Sequence, residues 1–449
     1  MNDALLASLY PAHLATLSAG YARVLARHGL DGVFVHGGVA LPRTRFDDQY
    51  WPIRPTPHLQ HWAPLAEPDA GLLVRADGAA LLLRVPVTSF WEHPFEPASR
   101  HWEPCLPQRT VGSVAAQGEA LPRGRVAFVG DDLAAAAALG LEQVNPVDLL
   151  RDLDALRVHK TPYERAALAE ANRRAAPGHA AVRAAFAAGA ESELDLHLAY
   201  LRATAQDDPE TPYKNIVALG AHAATLHHVS YGRGGPSGQR AGSLLLDAGA
   251  GVLGYCSDIT RTWVRDAGGA AASAFAALVD GMETLQQQLC REVRVGMPYE
   301  ALHDRSHALL GALLEEVGLV TRRGGDEAVS AGVTRAFYPH GLGHSLGLQC
   351  HDVGCATVKP RDDNPFLRNT SVIEAGQVFT IEPGLYFIPR LLEPLRASAA
   401  GRLVDWDMVE ALRPFGGIRI EDDVVVTDDP RQPIDNLTRP HLPQGGGSV

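Results

Sequence analysis

Four carboxylates interrupt segments that are otherwise too apolar to face water. Asp247 ends the run SLLLD, Asp258 follows it in GYCSDITRTW, Glu382 lies in FTIEPGLYF and Glu421 in GGIRIEDDVVV. A carboxylate buried in such a strand is costly unless it is paired or bound to a cation. Any one of them could be explained by a salt bridge or an edge position. Four in the C-terminal half constrain the fold jointly, because one shared cation site accounts for all of them. If 242–249 and 254–265 pair as a hairpin across the turn AGAGVLG, Asp247 and Asp258 can reach the same face of the ladder.

Between Asp258 and Glu382 lies PHGLGHSLGLQCHD, residues 339–352, which carries His340, His344 and His351 among glycines. A turn this rich in Gly lets backbone and imidazoles approach one small object closely. Alone, it is compatible with a metal site, a proton relay or a surface patch. Adding one histidine to the four acids gives an oxygen-rich donor set with a single nitrogen, which suits manganese, cobalt or similar divalent ions better than thiolate-seeking metals. Two cations fit this set best. Carboxylates can bridge them, and a metal pair about 3.5–4 Å apart supports metal-assisted hydrolysis.

With 449 residues the chain is expected to form two or three domains. The formal charge is −12 and no basic tract occurs, which argues against a nucleic-acid partner or an anionic membrane surface. Cys105, Cys256, Cys290, Cys350 and Cys355 are scattered, odd in number and free of CxxC spacing, as expected of reduced thiols in the cytoplasm. Cys350 and Cys355 read as small packing residues. The first 29 residues read as an amphipathic helix and not a signal peptide. No apolar run approaches the ~20 residues that span a bilayer.

Along the first half, periodicity predicts a helix from about 12 to 28, strands at 31–38 and 124–132, and a hairpin over 70–87 turning at Ala76-Asp77-Gly78. The segment 41–62, rich in Pro, Arg, Asp and aromatics, reads as a long loop of functional type. Pro162 is placed to start a new helix. The second half predicts helices at 162–188, 191–206, 270–292 and 299–317, interleaved with strands at 215–220, 224–230, 242–249 and 254–265. The expected architecture is an α/β N-terminal domain (1–158), an α+β C-terminal domain (159–440) and a disordered tail (441–449).

The motifs PHGLGHSLGLQCHD, LLLDAGAG…YCSDITRTW, TIEPGLYF and FGGIRIEDD closely resemble those of the pita-bread metallopeptidases. Further matches run through FDDQYWPIRPTPHLQHW, HKTPYE and TPYKNIVALG. The insert LLEPLRASAAGRLVDWDMVEALRPFGG is similar to that of the Xaa-Pro dipeptidase (prolidase) branch, as distinct from aminopeptidase P and methionine aminopeptidase. The resemblance implies two divalent metal ions, Mn first and Co or Zn as alternatives, held by Asp247, Asp258, His344, Glu382 and Glu421. It implies that Asp258 and Glu421 bridge, that Glu382 also moves a proton, and that a bridging hydroxide attacks Xaa-Pro dipeptides. His351 would stabilise the tetrahedral intermediate and His227 would serve as the catalytic pocket histidine. The substrate-binding residues would be His340, Arg368 (on the substrate carboxylate), Arg419 (orienting a ligand or nearby acid) and Tyr213. His228, next to His227 in a strand, would face away. Asp47, Asp48 and Trp51 would lie near a partner subunit in a homodimer. Side activity on organophosphate triesters is a further expectation. The alternatives are an aminopeptidase P-like enzyme on longer Xaa-Pro peptides and a metal-free binding module of the same fold.

Overall fold

The computed structural model describes residues 2–91, 96, 99–234, 240–265, 268–321 and 324–449. Two compact units are present. One comprises residues 1–167 with 252–255, and the other 168–251 with 256–449.

In the first unit the strand Gly32–His36 is buried at every residue. It pairs antiparallel with Gly71–Arg75 and parallel with Val126–Val129. A strand with no exposed residue needs cover on both faces, and GVFVH is apolar enough to accept it. The hairpin Gly71–Arg75 to Ala80–Arg84 turns through Gly78, whose φ of +82° suits a residue without a Cβ. The sheet has six strands of mixed direction. Phe34, Leu73, Leu83, Val126 and Phe128 form its apolar core with Ala135 and Ala136. The long helix expected at the N-terminus runs Asp3–His28 and ends at Gly29 in the left-handed region. At HKTPYE, the Thr161 N–H donates to Glu164 Oε2 (2.8 Å) and the Glu164 N–H lies 3.4 Å from Thr161 Oγ1. That is a capping box at the start of the helix Pro162–Ala187.

In the second unit, Ser243–Asp247 pairs antiparallel with both Ile216–Leu219 and Thr260–Val264. A second sheet joins Val378–Ile381 to Asp422–Val426 and Ile434–Asn436, and a short pair joins Gly384–Tyr386 to Gly417–Arg419. The helix Ala270–Glu292 buries Ala272, Phe275, Leu278, Val279, Met282, Leu285, Leu289 and Cys290. That i, i+3, i+4 spacing is one apolar stripe. It packs into the main core with Phe379, Ile381, Ile418, Ile420 and Val424. The segments that lead to Glu382 and Glu421 are therefore anchored from behind by this helix.

Two expectations need correction. Residues 224–230 are not a strand; the chain leaves Ile216–Leu219 through a 3-10 turn, Gly220–Ala224, that begins at φ +54°. The tail is ordered, because Gly446–Ser448 lies parallel to Thr262–Val264 and forms the outer strand of that sheet.

Candidate metal centre and substrate cavity

Asp247 is the last residue of its strand and lies opposite Thr260. Asp258 precedes Thr260 by two residues, so the hairpin brings both acids to one end of the ladder. Tyr213 Oη lies 2.8 Å from Asp247 Oδ1 and 2.6 Å from Asp258 Oδ1. One phenolic proton cannot satisfy two carboxylates, so part of their charge needs another partner.

Arg419 supplies some of it. Its Nη2 donates to Asp247 Oδ2 (2.6 Å), Nη1 to Tyr386 Oη (2.9 Å) and Nε to Thr260 Oγ1 (3.1 Å). Thr260 in turn donates to Glu421 Oε2 at 2.6 Å. His344 Nδ1 donates to the Ser345 carbonyl (3.1 Å). That bond aims Nε2 at Asp258 Oδ2 (3.4 Å) and Glu382 Oε1 (3.5 Å). A backbone carbonyl holding one ring nitrogen so that the other faces a metal is a common arrangement for ligating histidine. Asp258, His344 and Glu421 present ligand atoms all within 4.8 Å of one another.

The electrostatics of the bare side chains is that of a cation site. Burial raises Asp247 to about 6, against the opposing pull of Arg419. Burial and the neighbouring acids raise Glu382 to about 7 and put Glu421 well above the carboxylate range. Burial also opposes ionisation of Asp258, but hydrogen bonds from His344, Cys350 and Tyr213 outweigh it and bring Asp258 down to about 2. His344 is lifted to about 9 by Asp258 and Glu382 in spite of burial. Acids that raise one another's pKa are relieved by a cation, and the set of carboxylate oxygens with one imidazole fits divalent metal.

These groups open on a cavity of about 670 Å³. Its wall brings together Asp247, Asp258, His344, Glu382 and Glu421 with His227, His340, His351, Arg368 and Arg419. His351 packs edge-on to His344 with ring centroids 4.3 Å apart, and burial and His344 lower it to about 4, so it is neutral. His340 donates from Nδ1 to the Gly341 carbonyl, and its Nε2 accepts from Tyr386 Oη at 2.8 Å. Arg368 is exposed and makes no ion pair among the described residues.

Tyr213 is not on that wall. Its hydroxyl meets the carboxylates of Asp247 and Asp258 instead. Cys350 is more than packing, since its thiol donates to Asp258 Oδ2 at 2.9 Å. Thr260 and Tyr386 were not singled out in the sequence. The register Asp247↔Thr260 is the signal that could have found the first of them. His228 does turn away from the cavity, and its Nε2 meets Glu193 Oε2 at 2.8 Å.

Residues 166–428 match the model of metallopeptidase family M24, and residues 8–154 match the Xaa-Pro dipeptidase N-terminal domain. An Xaa-Pro dipeptidase of Aeromonas hydrophila is 41% identical over 96% of this chain and 98% of its own length. One from Marinobacter nauticus is 42% identical over 93% and 95%. Among solved structures, zinc-substituted Escherichia coli aminopeptidase P in complex with product superposes with a TM-score of 0.70 at 23% identity, covering 94% of each chain. Proline aminopeptidase P II from Yersinia pestis gives 0.70 at 22% identity, covering 96% of each. At that identity the structural likeness speaks for the fold, which is pita-bread in the C-terminal unit.

Proposed function

Because this chain belongs to metallopeptidase family M24, we propose that it hydrolyses Xaa-Pro dipeptides with two divalent metal ions held by Asp247, Asp258, His344, Glu382 and Glu421. The observation that carries this is the convergence of all five donors on one cavity wall, where Arg419 and His344 offset only part of the charge of four carboxylates. The dipeptidase branch is favoured by two relatives near 40% identity that span almost the whole chain. The oxygen-rich donor set favours Mn or Co.

The bound ions would supply positive charge that polarises the scissile carbonyl and lets water ionise near neutral pH. Everything else falls to side chains. Glu382 is raised to about 7 and stands beside His344 and His340. As a carboxylate facing the cavity, it is placed to take a proton from water and return it to the leaving proline nitrogen. His351, neutral and partly exposed at the cavity rim, can donate to the oxyanion as it develops. Arg368, a cation on the wall with no carboxylate partner among the described residues, would take the substrate carboxylate and so limit the substrate to two residues. Arg419, Tyr213 and Thr260 hold the acids in place. His227 lines the same wall and would contact the peptide.

The five cysteines are unpaired, in keeping with a reducing compartment such as the cytoplasm. No helix among the described residues is long and apolar enough to cross a membrane. Phe46, Tyr50 and Trp51 are exposed on the 41–62 loop and would suit a homodimer contact.

The test is hydrolysis of Ala-Pro, Gly-Pro and Ala-Pro-Ala by chelated protein, with and without added Mn. Restoration of dipeptide cleavage alone supports the proposal. Cleavage of the tripeptide as well moves the chain to an aminopeptidase P-like activity. Folded protein inactive with every metal would leave a binding role.

A further inference from the structure

Two groups of histidines and acids outside the catalytic cavity could be taken for metal sites. His36 lies with Asp69 and Asp132. There, the Gly38 N–H donates to His36 Nδ1 at 3.2 Å, so the ring proton sits on Nε2, the nitrogen that faces Asp69 at 3.8 Å. The Gly38 N–H occupies Nδ1, so the proton on Nε2 cannot shift there to free Nε2 for a metal.

The second group is built differently. Glu193 opens the helix Glu193–Thr204 and is buried. Its Oε1 accepts from the Leu219 N–H (2.9 Å) and from His222 Nδ1 (2.7 Å). Its Oε2 accepts from the Gly232 N–H (2.7 Å) and from His228 Nε2 (2.8 Å). The two imidazoles stack on each other with centroids 4.6 Å apart and planes 29° from parallel. Glu193 is 2% exposed at its side chain, whereas His222 is 41% exposed. The group is thus closed on one side and open to water on the other.

We propose that Glu193, His222 and His228 form an accessory zinc site, separate from the catalytic acids. Two imidazole nitrogens and one carboxylate, with a fourth position open to water, are a zinc ligand set. Their ligand atoms all lie within 4.8 Å of one another. Zinc bonds of about 2.0–2.2 Å in a tetrahedron place ligand atoms roughly 3.3 Å apart. His222 now points at Oε1 and His228 at Oε2, so each imidazole must draw back by about half an ångström and swing until both nitrogens face one ion on the carboxylate. The carboxylate stays where it is, because two backbone N–H groups hold it independently of the histidines. On binding, each imidazole gives up the N–H that it now directs at Glu193. The proton moves to the other ring nitrogen through solvent, so the imidazole remains neutral and metal replaces the proton.

The site would also fix the turn that carries the neighbouring His227 onto the cavity wall. Zinc here would therefore stiffen one wall of the substrate cavity without entering it.

The experiment is a zinc titration of chelated full-length protein against a chromophoric chelator. It compares the parent with His222→Ala, His228→Ala and a double variant, Asp258→Ala with Glu421→Ala. Circular dichroism checks folding, and the partly exposed His222 is the variant least able to disturb it. Each histidine variant is expected to bind one equivalent of zinc fewer than the parent. The acid variant is expected to keep that equivalent, with two imidazole scatterers in its zinc K-edge absorption. Equal stoichiometry in parent and histidine variants would overturn the proposal, as would an acid variant that retains no zinc. Failure of the catalytic-site assignment reads out separately, as an acid variant that binds as much zinc as the parent.

Discussion

Arg419 Nη2 lies 2.6 Å from Asp247 Oδ2, and both side chains are largely out of water. The guanidinium also holds Tyr386 and Thr260, so one planar fork sets the positions of an acid, a phenol and the hydroxyl that supports Glu421. Removing one partner of a buried pair leaves the other uncompensated, which typically costs about 3–5 kcal/mol. Arg419→Ala is therefore expected to lower stability by several kcal/mol in urea unfolding and to weaken metal retention. Arg419→Lys restores charge but not the fork, and is expected to fall between the two. A lysine variant equal to the parent in both assays would show that charge alone matters.

Glu382 faces the cavity, and burial raises its pKa to about 7, with other acids adding to the rise. Glu382→Gln keeps the shape and removes the proton acceptor. General base loss is worth roughly 10²–10⁴ in rate, so kcat for Ala-Pro is expected to fall by that factor even with metal in excess. Metal content, measured alongside, separates loss of the base from loss of a ligand. A glutamine variant with parental kcat would remove Glu382 from proton transfer.

Arg368 is exposed on the cavity wall, so its removal should not affect the fold. A charge-assisted hydrogen bond to a carboxylate contributes about 1.5–3 kcal/mol. Arg368→Ala is expected to raise KM for Ala-Pro about 10- to 100-fold, with Tm unchanged. The same substitution should affect Ala-Pro-amide, which lacks the carboxylate, far less. Equal effects on the acid and the amide would assign the arginine to some other contact.

Much of the site was legible because its signal is chemical incongruity. Asp247 and Glu421 stand in runs where charge does not belong, and only convergence could justify them. The fold followed where apolar period and turn residues agreed, as in the helix Ala270–Glu292 and the turn at Gly78. The sequence misled where the deciding partner lies far along the chain. Gly446 is poor strand material, yet the open edge at Thr262 pairs with it. Residues 224–230 were expected to form a strand, but the left-handed Gly220 turns the chain into a 3-10 helix first. Cys350 read as packing because nothing in its own neighbourhood of the sequence shows the carboxylate of Asp258 at its thiol.

Three buried histidines away from the acids set the behaviour in mild acid. Burial lowers His179 to about 3, His303 to about 4 and His307 to about 2, the last with help from His303. The Nδ1 of each lies buried with no hydrogen-bond partner, so a proton added there would meet no acceptor. In the unfolded chain each titrates near 6.5. Between that value and the lowered one, the unfolded state binds more protons than the native state. Stability is therefore fully present above about pH 6.5 and is lost as pH falls, at up to ~1.4 kcal/mol per pH unit for each group. The raised Asp247 and Glu382 titrate in the same range with the opposite sign, so the histidine contribution is read by comparing parent and variant in urea unfolding at pH 7.5, 6.0 and 5.0. His307→Leu, which removes one of the three titrations, is expected to make the slope shallower by about one proton. A slope the same in parent and variant would mean that His307 is protonated in the folded state at a normal pH.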